Sequence, residues 1–124
     1  VAWIVSGGGR NVIHCGDTLW HGYWWRIARQ HGPIEAAFLP VNGAVLHIPG
    51  LPEQSSLPAC MTPEEAVEAA RLLGAGRLVP IHYNTFHHPP FYIETPNLIE
   101  RLTKRAQERA VHVALLEPGE KLEV

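Results

Sequence analysis

Cysteine, aspartate and methionine are scarce in this 124-residue chain, which has two Cys (Cys15 and Cys60), one Asp (Asp17) and one Met. Two distant thiols make no disulfide framework, which excludes a small disulfide-stapled fold and favours a reducing compartment, the cytoplasm. Long apolar runs are missing as well. The best, Ile34 to Leu46, is broken by Glu35, Pro40 and Asn42 and falls short of the roughly 18 residues a membrane span needs. Nor is there an excess of positive charge: 10 Lys and Arg against 12 Asp and Glu give a net charge of -2 and a pI near 6.5. Nucleic-acid binders use a basic surface to displace counterions from phosphate, and this chain lacks one. No basic stretch followed by an apolar core marks a secretory signal. The chain opens at Val1 and enters Trp3-Ile4-Val5 at once, so we expect a piece of something longer.

What is present suits one globular α/β domain over residues 1–124, with 46% hydrophobic residues to fill a core. Residues about 2 to 5 and 11 to 15 are β-prone runs separated by Ser6-Gly7-Gly8-Gly9, a hairpin signal. Trp20, Trp24, Ile27 and Ala28 recur at helical spacing until Gly32-Pro33 stops them. Trp24 and Trp25 cannot both face the core of one helix. Ile34 to Val41 reads as a buried strand, and the Pro-rich stretch from Pro49 to Pro58 as a long loop. Thr62-Pro63-Glu64-Glu65 combines an N-cap, Pro at the first helical position and Glu three residues after the cap. That predicts a helix over 63–73 with Val67, Ala70 and Leu73 facing inward.

Arg77 to His82 reads as the next strand. Thr95-Pro96 repeats the cap-then-proline signal and predicts a helix over about 96–109 that buries Leu98, Ile99, Leu102 and Ala106. Its Arg101, Lys104, Arg105, Glu108 and Arg109 read as a solvated face, with Glu100 and Lys104 as a supporting pair. A strand over His112 to Leu116 and a Pro118-Gly119 turn close the chain. Helices thus alternate with strands, as in an α/β layer, where ligands bind beyond the carboxyl ends of the strands.

Three strand ends carry polar residues: Asp17, Asn42 and His82. Asp17 follows Gly16, which lets the backbone turn sharply and leave the carboxylate exposed; it reads equally well as a cap for the following helix. His82 reads equally as a histidine closing a core strand. Together they supply an oxygen and a nitrogen donor of the kind that binds zinc, manganese or iron. His14 and Cys15 point to opposite faces of a strand, so only one can face the site. For His21, His87 and His88, on or beside rim loops, substrate contact, stray metal binding and plain exposure all stay open. Cys15 and Cys60 read as buried small hydrophobes, because no cation adjoins either. There is no phosphate-cradling Gly loop opening a helix and no Gly-x-Ser-x-Gly elbow.

Ile13-His14-Cys15-Gly16-Asp17-Thr18, the run from Gly32 to Ala44 containing Pro40-Val41-Asn42-Gly43, Met61-Thr62-Pro63-Glu64-Glu65-Ala66, and Leu78-Val79-Pro80-Ile81-His82-Tyr83-Asn84-Thr85-Phe86 resemble the C-terminal half of a metallo-β-lactamase-fold hydrolase. The branch containing ascorbate-6-phosphate lactonase-like proteins is the nearest in kind. The resemblance implies half of an αβ/βα sandwich, a mixed β-sheet with helices on one face. It implies Asp17 as the carboxylate bridging two metal ions, zinc or manganese, and His82 as the last histidine ligand of the second. Asn42 and Gly43 would line the substrate pocket, with His87 and His88 at its rim. The implied reaction is attack by a metal-bridged hydroxide on an ester, lactone or phosphoester-type small molecule. The family's His-x-His-x-Asp-His motif is absent, so the chain alone is expected to bind metal weakly and turn over little. A lone half also exposes an apolar sheet face, which predicts a homo-oligomer or pairing with the missing N-terminal half. The alternative is a non-catalytic α/β half-domain that acts through protein association.

Overall fold

In the computed structural model, which describes residues 1–124, strands β1 (Trp3–Gly7) and β2 (Arg10–His14) form an antiparallel hairpin. Its turn is made by Gly8 and Gly9, with φ of 59° and 78°, a region where a side chain would be strained. Helix α1 (Trp24–His31) crosses to β3 (Ile34–Pro40), parallel to β2, and α2 (Pro63–Leu73) crosses to β5 (Arg77–Ile81), parallel to β3. A parallel pair cannot be closed by a tight turn, so each step needs such a crossover. The sheet is therefore mixed, in the order β1-β2-β3-β5. A separate ribbon of two-residue strands, β4 (Val45–Leu46) with β6 (Tyr92–Ile93), stands beyond β3, and α3 (Leu98–Arg109) follows it. No helix is long and apolar enough to cross a membrane.

Alternation along the strands sorts the sheet into two faces. Ile13, Cys15, Ala37, Leu39, Val41 and Leu78 point to the helices and meet Trp24, Val67, Ala70, Leu73 and Leu102 in one buried core. Helix α2 lies on β3 and β5 and is flanked by α1 and α3. The other face presents the row Trp3, His14, Phe38, Val79 and, beside it, Val5, Val12 and Ala36. Residues 117–124 reach across part of this face: Arg77 Nη1 donates to the Glu123 carbonyl at 2.6 Å, and Arg10 Nη1 donates to the Val124 carbonyl. Beyond that tail the face is open, with Trp3 71% and Val5 70% exposed.

Helix α2 begins where the sequence places it. Thr62 Oγ1 accepts from Glu65 N at 3.3 Å and Glu65 Oε2 accepts from Thr62 N at 2.9 Å, so two orphan amides are satisfied reciprocally. Helix α1 starts later than the Trp20 periodicity predicts, at Trp24. Trp20 remains outside the helix with its ring tilted against Trp24 at 6.3 Å, while Trp24 enters the core and Trp25 stays exposed.

The expected α3 needs correction at its start. It begins at Leu98, preceded by Asn97 at φ 53°, with no side-chain cap. Thr95 lies two residues before the N-cap, with its N–H donating to the Asn42 carbonyl at 2.9 Å. Its basic residues are not a merely solvated face either. Arg101 is paired with Glu64 at 2.8 Å, Arg105 with Glu68 at 2.6 Å and Arg109 with Glu68 at 2.7 Å, which clamps α3 to α2. No Glu100–Lys104 pair forms; Arg105–Glu108 does, at 3.2 Å. The expected closing strand shrinks to one parallel bridge, Leu78 with Val113, after which the chain leaves the sheet.

Candidate functional site

Asp17 and His82 meet. Asp17 Oδ1 lies 2.7 Å from His82 Nδ1, with the carboxylate side chain 80% and the imidazole 37% exposed. The sheet makes this contact, since each residue sits just past the carboxyl end of its strand. Cys15 N donates to Phe38 O at 3.0 Å and Val41 N to Ile81 O at 3.2 Å, so the ends of β2, β3 and β5 are held level. Both approaches bend through left-handed backbone. Gly16, at φ 58°, turns Asp17 out of the line of β2. His82 itself is at φ 60°, a conformation that costs a non-glycine residue about 1–3 kcal/mol and concentrates at functional sites.

Asn42 stands between the two arms. It is 2% exposed, yet every end of its amide is occupied. Cys60 Sγ donates to its Oδ1 at 2.6 Å, and its Nδ2 donates to the Tyr92 hydroxyl at 2.5 Å. On one side Val41 links it to Ile81, the residue before His82; on the other, Cys60 is followed by Met61, whose N–H donates to the carbonyl of Thr18, next to Asp17. Burial pushes the Cys60 thiol up, the Ala44 N–H pulls the other way, and the Asp17 charge pushes it up again. Tyr92 is likewise pushed up by burial first, against the hydrogen bond from Asn42.

The remaining residues singled out in the sequence fall in different places. Gly43, at φ 50°, is buried under the start of α2: a Cβ there would lie 2.5 Å from Thr95 Oγ1 and 3.2 Å from Thr62 Cα. His87 Nδ1 accepts from Glu94 N at 3.3 Å, and His88 stacks on Phe91 at 5.7 Å, so both sit in the β5–β6 connection. His14 and Cys15 split as alternation requires, Cys15 into the core and His14 against Phe38 on the other face. His21 stacks on Trp24 at 3.9 Å. A cavity of about 330 Å3 bordered by Asp17, Thr18, His21 and Trp24 opens on one side of the pair. A second, of about 450 Å3, is bordered by His82, Asn84, Phe38 and Glu117.

Neither Tyr92 nor the Cys60–Asn42–Tyr92 chain is signalled by any motif. Their only trace in the sequence is the β-prone triplet Phe91-Tyr92-Ile93 after Pro89-Pro90, too short to show a period.

As a donor set, the pair fits a divalent metal as two of its ligands, one oxygen and one nitrogen. Nowhere does the chain gather three His, Cys, Asp or Glu side chains able to hold a metal ion, whereas a catalytic zinc normally takes three protein ligands.

Residues 1–83, which contain Asp17, Asn42 and His82, match the family model described as "Beta-lactamase superfamily domain". The chain is 34% identical over 122 residues to a UPF0173 metal-dependent hydrolase of Thermococcus kodakarensis, covering 98% of this chain and 45% of that one. It is 37% identical over 115 residues to a UPF0173 metal-dependent hydrolase of Rubrobacter xylanophilus, covering 92% and 39%. Among solved structures, Igni18, a metallo hydrolase from Ignicoccus hospitalis, superposes with a TM-score of 0.65 at 30% identity over 94% of this chain and 42% of its own. The chain thus spans less than half the length of these relatives. Its mixed sheet with α2 laid on β3 and β5 is a fragment of the metallo-β-lactamase fold, and the chain belongs to the β-lactamase superfamily domain family.

Proposed function

We propose that this chain is part of a metal-dependent hydrolase acting on a small ester, lactone or phosphoester, with Asp17 and His82 as metal ligands. The observation that carries the reading is the 2.7 Å contact between Asp17 Oδ1 and His82 Nδ1, which brings two unlike donors to one point beyond the strand ends. The names of the relatives as metal-dependent hydrolases support it. Zinc or manganese suits such donors. A bound divalent metal supplies an acidified water and polarises the carbonyl or phosphoryl under attack. The chain's own residues prepare the place: Gly16 turns the carboxylate outward, and the strained His82 backbone turns the imidazole to meet it. Asp17 would supply a carboxylate oxygen and His82 an imidazole nitrogen to such a metal. The missing ligands come from the part of the parent protein outside these residues, giving a dinuclear centre there.

The open sheet face fits the same picture. Trp3 and Val5 are largely exposed on it, and relatives more than twice as long as this chain have the further sequence to cover it. We assign that face to the rest of the parent chain rather than to a second copy. Light scattering of the 124-residue chain alone and of the full parent separates the two, because a monomeric parent together with a self-associating fragment is the expected result. The two cysteines, both unpaired and buried, support a reducing compartment, the cytoplasm.

Metal analysis of the purified parent protein tests the central reading. Asp17→Asn and His82→Ala are each expected to at least halve the bound metal and to slow hydrolysis of p-nitrophenyl esters on the order of 100-fold. Full metal content in both variants removes the pair from the metal site. A parent with neither metal nor hydrolysis makes this chain a non-catalytic half-domain that works by association.

A further inference from the structure

We infer that Tyr92 is a substrate-contacting residue of this site, donating its phenolic hydrogen to an oxygen of the carbonyl or phosphoryl group under attack, and that buried Asn42 is its positioning residue. The inference rests on the hydrolase reading above and adds to it Tyr92, which neither motif nor spacing suggested.

Hydrogen-bond direction is the first support. The Cys60 thiol donates to Asn42 Oδ1 at 2.6 Å. At the other end of the same amide, Nδ2 donates to Tyr92 Oη at 2.5 Å. The phenol oxygen is therefore used as an acceptor and its hydrogen remains available to a third group. A buried amide bonded at both ends in this way holds the phenol in place.

Position is the second. Asn42, the partner of the phenol, is tied through Val41 to Ile81, beside His82, and through Cys60-Met61 to Thr18, beside Asp17, so it stands between the two strand ends that carry the pair. The Asp17 charge is felt by both Tyr92 and Cys60. The ring itself is steadied by Phe86, edge-on at 5.0 Å, and by the pairing of Tyr92 with Leu46. A donor held before the substrate arrives needs no reorganisation when charge develops on the oxygen, which is where such groups lower a barrier.

The test uses the full-length parent loaded with the metal it is purified with, p-nitrophenyl acetate and bis(p-nitrophenyl) phosphate as substrates, and inorganic phosphate as the binding probe. Tyr92→Phe is expected to lower kcat at least tenfold, with KM changed less than twofold and metal content and Tm unchanged. Phosphate should shift the Tyr92 13Cζ resonance saturably, and its affinity should fall at least threefold in Tyr92→Phe. Asn42→Ala should slow the enzyme similarly, and the double variant should be no slower than Tyr92→Phe alone, since the amide acts through the phenol. A metal-loaded Tyr92→Phe enzyme with unaltered kcat and phosphate affinity overturns this inference and leaves the hydrolase reading standing. Additive losses in the double variant overturn the role of Asn42. A parent that binds no metal overturns the hydrolase reading, and this inference with it.

Discussion

Replacing Gly43 by alanine tests whether the segment that supports Asn42 is as tightly determined as it looks. Two costs are separable. An alanine at φ 50° sits in left-handed backbone at a cost of about 1 kcal/mol relative to glycine. Its methyl group would also stand 2.5 Å from Thr95 Oγ1 and 3.2 Å from Thr62 Cα and Cγ2. The threonine hydroxyl can swing aside, but the Thr62 Cα belongs to the N-cap of α2, so the helix start must shift, at roughly 1–3 kcal/mol for overpacking. The sum is about 2–4 kcal/mol, or a Tm lowered by roughly 8–15 °C for a chain of this size. Gly50→Ala supplies the reference. Gly50 has φ 86° and open space around the place its methyl would take, with nothing within 4 Å, so it reports the backbone cost alone, about 4 °C. Thermal unfolding of both variants by circular dichroism decides the matter. If Gly43→Ala loses no more than Gly50→Ala, the crowding is not real and Gly43 is held there by conformation only.

Two further results are expected for the helix clamp, and one for the thiols. Glu68→Ala removes the shared partner of Arg105 and Arg109 and should cost about 1 kcal/mol, less at high salt, as a partly exposed ion pair does; no loss in urea unfolding would mean that α3 is held by Leu102 and Ala106 alone. The same pair sets an acid limit. Burial works against ionisation of Glu68, but Arg109 and Arg105 outweigh it and hold the carboxyl below its ordinary 4.5, and Glu64 is held down in the same way against burial by Arg101. Their contribution is complete above the unfolded value and disappears as pH falls from about 4.5 through the lower folded one. Unfolding midpoints at pH 6 and pH 3 should therefore differ less in Glu64→Gln/Glu68→Gln than in the parent sequence. For the thiols, burial pushes Cys15 up to about 11, and Cys60 is raised too. Neither should react with Ellman's reagent at pH 8 until the chain is unfolded, and a fast-reacting native thiol would contradict the packing described.

Legibility in the sequence followed the range of the forces involved. Helix α2 was readable because Thr62, Pro63 and Glu65 satisfy one another within four residues. The placing of Asp17 and His82 was readable because parallel strands put their carboxyl ends on one edge. Thr95-Pro96 pointed too early, since the helix opens only after Asn97; the Thr95 N–H is bonded to Asn42, a partner that local pattern does not reveal. The α2–α3 clamp was invisible for the same reason, since Glu64 and Glu68 lie on another helix from Arg101, Arg105 and Arg109. Strands β4 and β6, two residues each, carry no period at all, and Tyr92 was lost with them.

The level ends of β2, β3 and β5 have a consequence for how the site comes into being. Asp17 and His82 touch only through a strand, β3, that lies between theirs, so the contact cannot form in a chain whose helices are made but whose strands are still unaligned. Because side chains alternate, a slip of one position in either pairing would send one partner to the far side of the sheet. The pair therefore forms only once both strand pairings are in register.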